Sequence, residues 1–261
     1  MTETPPTITS TCREGLGILT LNRPDQLNAL TPAMLERIPE ALAEMIEQGA
    51  RAVILTGAGR AFCSGAALDM GELGGEADLG AIIDRYYNPA AHAIADLPVP
   101  VVCAMNGPAV GAGLSIALAA DIVVAARSSY LMLAFANIGL VPDAGATWLV
   151  ARAVGRAKAL EMALLAERMP AEDALAAGLI ARVVDDEAVM PEAVTIGRKL
   201  AAMPTSAMAM IRRQVRVALD QPFAETLLQE RDNQRAAGFS EDFREGVLAF
   251  REKRAPIFKG R

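Results

Sequence analysis

Asn106-Gly107-Pro108-Ala109-Val110-Gly111-Ala112-Gly113-Leu114-Ser115 follows an apolar run, Val101-Val102-Cys103-Ala104-Met105, bounded by Pro98 and Pro100. The run reads as a short buried strand. Leu114 to Ala120 has helix-forming composition, so Gly111-Ala112-Gly113 falls where a strand turns into a helix. Small residues there let another molecule approach the backbone, and the first N–H groups of a helix lack internal partners and carry partial positive charge. An anion, or an oxygen about to become one, fits such a turn. The same residues also fit a glycine-rich turn that only lets a helix pack closely on a sheet.

Working outward, the pattern is that of an α/β chain. Gly15 to Leu21 reads as a strand ending at the turn Asn22-Arg23-Pro24-Asp25, and Thr31 caps a helix with Pro32 at its first position. Met34, Leu35, Ile38, Leu42, Met45 and Ile46 recur at three- and four-residue spacing and give that helix one buried face. Ala52 to Thr56 is a second strand, followed by a loop from Gly57 through Met70. Gly71 to Gly80 reads either as a substrate lid or as an idle surface loop. Ala81 to Asp96 is helical, with Pro89 expected to kink or restart it, and Tyr86-Tyr87 lines either an aromatic pocket or a packing interface. Asp121 to Ala126, Tyr130 to Ala134 and Gly178 to Val184 are further strands. Four helices, over Pro191–Met203, Ser206–Leu219, Phe223–Ala236 and Ser240–Lys253, then make a helical C-terminal region, giving a division into 1–190 and 191–261.

Composition narrows the function classes. A chain of 261 residues that is 52% hydrophobic can fill a sizeable core. No apolar run is long enough for a membrane helix and the N-terminus lacks signal-peptide character, so the expectation is a cytoplasmic protein. A net charge of −6 and a pI near 5.0 disfavour a nucleic-acid partner. Cys12, Cys63 and Cys103 lack metal-ligand spacing, and His92, the only histidine, reads as an ordinary partly buried helical residue, so neither a metal centre nor a Ser-His-Asp site is expected.

Asp143 is a second chemical candidate, a lone carboxylate in the largely apolar segment Leu131 to Val150. Such surroundings raise a carboxyl pKa towards neutrality and suit a proton shuttle, yet Asp before Ala-Gly-Ala-Thr-Trp also looks like a helix N-cap. The tail from Arg251 to Arg261 carries five basic residues against Glu252 and reads as a solvated or a phosphate-binding segment.

Four separated motifs together resemble the enoyl-CoA hydratase/isomerase (crotonase) family. They are the loop Arg60 to Ala66, the turn Asn106-Gly107 to Gly113, the segment Ile138 to Gly145, and the stretch Glu245-Gly246-Val247 to Phe258. The resemblance implies an α/β spiral of ββα units, a helical C-terminal region that makes a homotrimer or hexamer, and a coenzyme A thioester as substrate with no separate cofactor. It implies that the Ala66 and Ala112 N–H groups, with Gly65 and Gly111 beside them, receive the thioester carbonyl oxygen. Leu68, Ser115, Phe135 and Tyr87 are expected at the acyl group, and Arg23, Lys253 and Lys259 at the nucleotide end. Ala67 stands where the family pattern carries Asp.

Hydratases of the family use two glutamates, and Ser115 and Phe135 occupy the matching positions, whereas Asp143 matches the single acid/base carboxylate of the isomerase branch. The expectation is therefore an isomerase acting on either a linear enoyl chain or a phenylacetyl-derived ring epoxide. Hydration or thioester hydrolysis, with water held by Ser115, and a non-catalytic acyl-CoA-binding protein are the alternatives. An isomerase would tolerate Ser115→Ala, and a Ser115-dependent hydratase would not.

Overall fold

A computed structural model describes residues 5–67 and 78–261. The chain opens with the hairpin β1 (Ile8–Arg13) and β2 (Leu16–Leu21), paired antiparallel with Ile8 opposite Leu21. Helix α1 (Pro32–Glu47) and β3 (Ala52–Gly57) follow. Next come α2 (Leu79–Ile82), a π-helical turn over Ile83–Tyr87, and α3 (Asn88–Ala95). The central segment runs β4 (Val101–Met105), β5 (Ala109–Val110), α4 (Ala112–Leu118), β6 (Ile122–Ala126) and β7 (Tyr130–Met132). The remainder is α5 (Ala146–Leu165), β8 (Met169–Pro170), α6 (Ala171–Ala176), β9 (Arg182–Val184), α7 (Val189–Ala201), α8 (Thr205–Ala218), α9 (Phe223–Gly238) and α10 (Glu241–Glu252). A six-stranded sheet has the order β1-β2-β3-β4-β6-β9, parallel except for the first pair, and β5-β7-β8 form a smaller one.

Both faces of the large sheet are covered, which is why residues 52–55 of β3 and the whole of β4 are apolar runs rather than alternating ones. Their side chains still separate by parity. Val53, Leu55, Val101, Cys103 and Met105 pack with Met34, Leu35, Ile38 and Leu42 of α1 on one face. Ala52, Ile54, Val102 and Ala104 pack with Val189, Ala193 and Ile196 of α7 on the other. The sequence boundary at 190/191 thus falls within a helix that covers the sheet. Thr31 caps α1 as its sequence implies, its Oγ1 accepting from the Met34 N–H at 3.3 Å.

Several local expectations change. The first strand has a partner, β1, that the apolar pattern did not reveal, because Thr9-Ser10-Thr11 alternate within a polar, half-exposed edge. Pro89 restarts the helix, as one of its two expected roles, by entering the first turn of α3 just after the π turn, where the Asn88 N–H reaches the Ile83 carbonyl. The segment Gly178–Val184 is extended only over Arg182–Val184, because Gly178 turns the chain with φ +78°. His92 is exposed rather than partly buried, with Nδ1 3.4 Å from Asp96. Among the described residues no helix is long and apolar enough to cross a membrane.

The C-terminal tail folds back on its own helix. Asp242, 3% exposed, accepts the Lys259 N–H at 2.6 Å and the Gly260 N–H at 2.7 Å, while its own N–H reaches the Arg261 carbonyl. Arg254 pairs with both oxygens of Glu245, which also accepts the Ile257 N–H, and these contacts hold the Glu245 carboxyl down at about 2. Arg51 clamps the Phe258 and Met203 carbonyls from the far side. Asp242→Ala should cost on the order of 3 kcal/mol, because two N–H groups lose a charged acceptor. Denaturant unfolding reads that loss, and trypsin should then cut at Lys253 and Arg254; a tail as protected as wild type would show that it is held by other contacts.

Candidate active site

Two backbone segments meet at the centre of the fold. Asn106 holds the loop after β3 through its side chain, accepting the Gly57 N–H at 3.1 Å and donating to the Gly59 carbonyl at 2.9 Å. Beside it, Cys63 is zipped to Ala109 by a parallel bridge, the Cys63 N–H donating to Pro108 and the Val110 N–H to Cys63. Gly113 then lies so close that a Cβ would stand 2.5 Å from the Cys63 carbonyl oxygen. Gly65, with φ +100°, lies against Val110, and a Cβ on it would come 3.8 Å from the Ala112 nitrogen.

That contact sets Gly65, the residue before Ala66, beside the Ala112 nitrogen. Leu30 donates to the Gly65 carbonyl and accepts the Ala67 N–H, so the Ala66 N–H points away from Leu30. Ala112 is the first residue of α4, two residues earlier than the sequence suggests, and its N–H has no partner within the helix. The N–H before it, on Gly111, is taken by the Met132 carbonyl. Among the described residues neither the Ala66 nor the Ala112 N–H donates to another protein group.

Asp143 stands on the segment that leads into α5. Phe135, 7% exposed, sits in the 3-10 turn Ala134–Ile138, and its Cζ would be 3.9 Å from a Cβ placed on Gly111. The chain then presents Ile138, Leu140 and Val141 outward, Val141 at 78% exposure, before turning in at Asp143. Sequence reading passed over this apolar rim, whose signal was three branched residues on a loop beside Pro142. Asp143 is no helix cap: α5 begins at Ala146, with Gly145 at its cap, and no side chain bonds there. Its Oδ1 is buried without a hydrogen-bond partner among the described residues, and burial lifts its carboxyl to about 6 against the weaker, opposing effect of its own peptide N–H.

The other expected residues fall into three groups. Tyr87 is buried in the π turn, where burial first and the charges of Asp143 and Cys63 second push its phenol up, so it remains a donor. Ser115 is 0% exposed and its hydroxyl donates to the Asp143 carbonyl at 3.0 Å. Burial likewise lifts the Cys63 thiol to about 12, which makes it inert packing.

Arg23 donates to the Ala29 carbonyl at 2.7 Å, and Lys253, exposed, ends α10 with φ +53°. Lys259 is exposed and its Nζ lies 3.7 Å from Glu241, which also meets Arg261. The basic tail is thus largely paired with Glu241, Glu245 and Glu252, all on α10, a neutralisation hidden from the sequence because only Glu252 falls within the tail stretch itself. Leu68, and the lid reading of the loop Gly71–Gly80 up to residue 77, lie outside the described residues.

Residues 11–261 match the family model described as enoyl-CoA hydratase/isomerase. The chain is 43% identical over 258 residues to the 1,2-epoxyphenylacetyl-CoA isomerase of Escherichia coli, covering 97% of this chain and 98% of that one. It is 45% identical over 249 residues to a Rhodobacter capsulatus protein named "Probable enoyl-CoA hydratase", covering 95% and 96%. Among solved structures, an enoyl-CoA hydratase from Polaromonas matches with a TM-score of 0.91 at 32% identity, covering 97% of this chain and 99% of that one. With nearly its whole length matched in sequence and in fold, the chain belongs to the enoyl-CoA hydratase/isomerase, or crotonase, family.

Proposed function

We propose that this chain is an acyl-CoA isomerase in which Asp143 is the proton shuttle and the Ala66 and Ala112 N–H groups form the oxyanion hole. The observation that carries this reading is the lone half-buried carboxylate of Asp143, lifted to about 6, with Ser115 and Phe135 where hydratases of the family carry glutamates. Ionised Asp143 takes a proton from the carbon next to the thioester carbonyl, and the C–H electron pair moves into an enolate. The two N–H groups receive the enolate oxygen, where one aimed donor is worth roughly 3–4 kcal/mol of barrier. On a linear enoyl chain Asp143, now neutral, returns the same proton to another carbon of the acyl group, the double bond moves, and no atom is gained or lost.

The relative from Escherichia coli supports an aryl-CoA ring epoxide as the acyl group, and the apolar rim of Ile138, Leu140 and Val141 has the chemistry to meet a ring. The second reading, hydration, is favoured by the name of the Rhodobacter relative. It needs a group to hold and deprotonate water, and the matching side chains are a phenyl ring and a hydroxyl committed to a backbone carbonyl.

Asp143→Asn separates these roles from simple packing. Turnover on the best of a panel of enoyl- and aryl-CoA thioesters should fall by about a hundredfold or more, with acyl-CoA affinity kept. Ionisation of a carboxyl whose folded value is raised opposes folding, so the same variant should melt higher than wild type at about pH 8 and lose that advantage below about pH 4. Wild-type turnover in Asp143→Asn would remove the mechanism.

The nucleotide end of coenzyme A is proposed to meet Lys253, Lys259 and Arg23. The exposed Lys259–Glu241 pair is weak enough to exchange for a phosphate. Lys253→Ala with Lys259→Ala should raise the Kd for CoA and flatten its salt dependence, and an unchanged Kd would discard the assignment.

A homotrimer or a dimer of trimers is proposed through the C-terminal helices. The exposed apolar residues there include Ile211, Leu219, Phe223, Leu228, Phe239 and Phe250, whereas Met203, Met208 and Met210 are half-buried within the protomer. Light scattering at micromolar concentration should give three or six times the 27.5 kDa chain mass, and a monomer mass would refute it.

A further inference from the structure

We propose that Ser115 is a positioning residue that sets where the Asp143 carboxylate stands relative to the oxyanion hole. This rests on the reading of Asp143 as the proton shuttle. Helix α4 carries Ala112 at its first position and Ser115 three residues on, a rise of about 4.5 Å along the same axis. A serine in a helix ordinarily turns its hydroxyl back to the carbonyl four residues earlier. Here that carbonyl, on Gly111, already accepts the Leu114 and Ser115 N–H groups, and the Ser115 hydroxyl donates instead to Asp143, 28 residues away, at 3.0 Å.

The bond matters because little else fixes Asp143. Among the described residues its Oδ1 has no hydrogen-bond partner, and the hydrogen bond on the carboxyl comes from its own peptide N–H, so the carboxylate is tied to the local main chain. That main chain is held in a conformation L residues rarely adopt, with φ +47° at buried Ala144 and +85° at Gly145. The Asp143 carbonyl accepts from Ser115 and from the Ala146 N–H, which uses both of its lone pairs. The first of these bonds ties the strained turn to α4, and α4 is the element whose N-terminus aims the Ala112 N–H. One helical turn therefore carries an oxyanion donor at one end and the anchor of the acid/base segment at the other.

The structure changes the expectation that Ser115→Ala is mild. Misplacing a catalytic group by an ångström costs up to about a hundredfold in rate. Ser115→Ala should lower kcat about tenfold or more while KM for the acyl-CoA stays within about twofold. The acidic limb of the kcat profile should move down from the Asp143 value of about 6 as the released carboxylate gains water. Adding Ser115→Ala to Asp143→Asn should cause no further loss, because the anchor then has nothing to position. If Ser115→Ala does not fold, Ser115→Cys, close in volume and a weaker donor, carries the same three readouts and should show them at smaller amplitude.

A Ser115 variant with unchanged kcat and acidic limb, beside an inactive Asp143→Asn, would overturn this role and leave the shuttle standing. Losses that add in the double variant, or a raised KM with an unmoved limb, would also overturn it, since they mark a merely structural residue. An active Asp143→Asn would instead overturn the reading beneath it.

Discussion

The site depends on one close approach, that of the loop around Cys63 to the turn that opens α4. A Cβ at Gly113 would sit 2.5 Å from the Cys63 carbonyl and 2.7 Å from its sulfur, so the two backbones touch where a side chain would keep them apart. Ladder bonds of Cys63 with Pro108 and Val110 fix the register of that contact. On the proposed reading the pairing of the Ala66 and Ala112 N–H groups follows from it, although the two come from segments 46 residues apart by number and share no secondary element. Because both groups are backbone, their aim is set by packing and is insensitive to the identity of the alanines. It is sensitive to any residue that forces the loop off the turn.

The charge of the proposed site follows a simple rule of conservation. Before proton transfer the negative charge is on Asp143, and after it on the enolate oxygen, so the site holds one negative charge throughout. The protein therefore needs donors at one place and an apolar environment at the other, which are the two features found there: N–H groups unpartnered among the described residues and a carboxylate raised by burial. A second carboxylate would add repulsion at each stage. Tyr87, kept protonated by the same burial, adds a neutral donor without adding charge.

Much of the fold was legible because it is written locally. The cap at Thr31, the apolar face of α1 and the apolar run of β3 each depend on residues a few places apart. What was not legible depends on distant partners. The polar edge strand β1 is a strand only because β2 pairs with it. The tail looked strongly basic because its acids lie on the helix it folds against. Asp143 also read as a helix N-cap, and that reading fails because α5 starts at Ala146, behind Gly145 at φ +85°.

The family's mixed chemistry on one scaffold has a physical reading in two positions. Hydration requires that water reach the acyl chain and that something remove its proton, and a glutamate at either position could do both. Phe135, packed near Gly111 and almost fully buried, fills that space with a group that neither binds water nor accepts a proton. Ser115 could bind water, but its one donor proton is spent on the Asp143 carbonyl. On the proposed reading, the substitutions that remove hydration are the same ones that serve isomerisation. One keeps water from the enolate, where it would compete with proton return, and the other holds the remaining carboxylate in place.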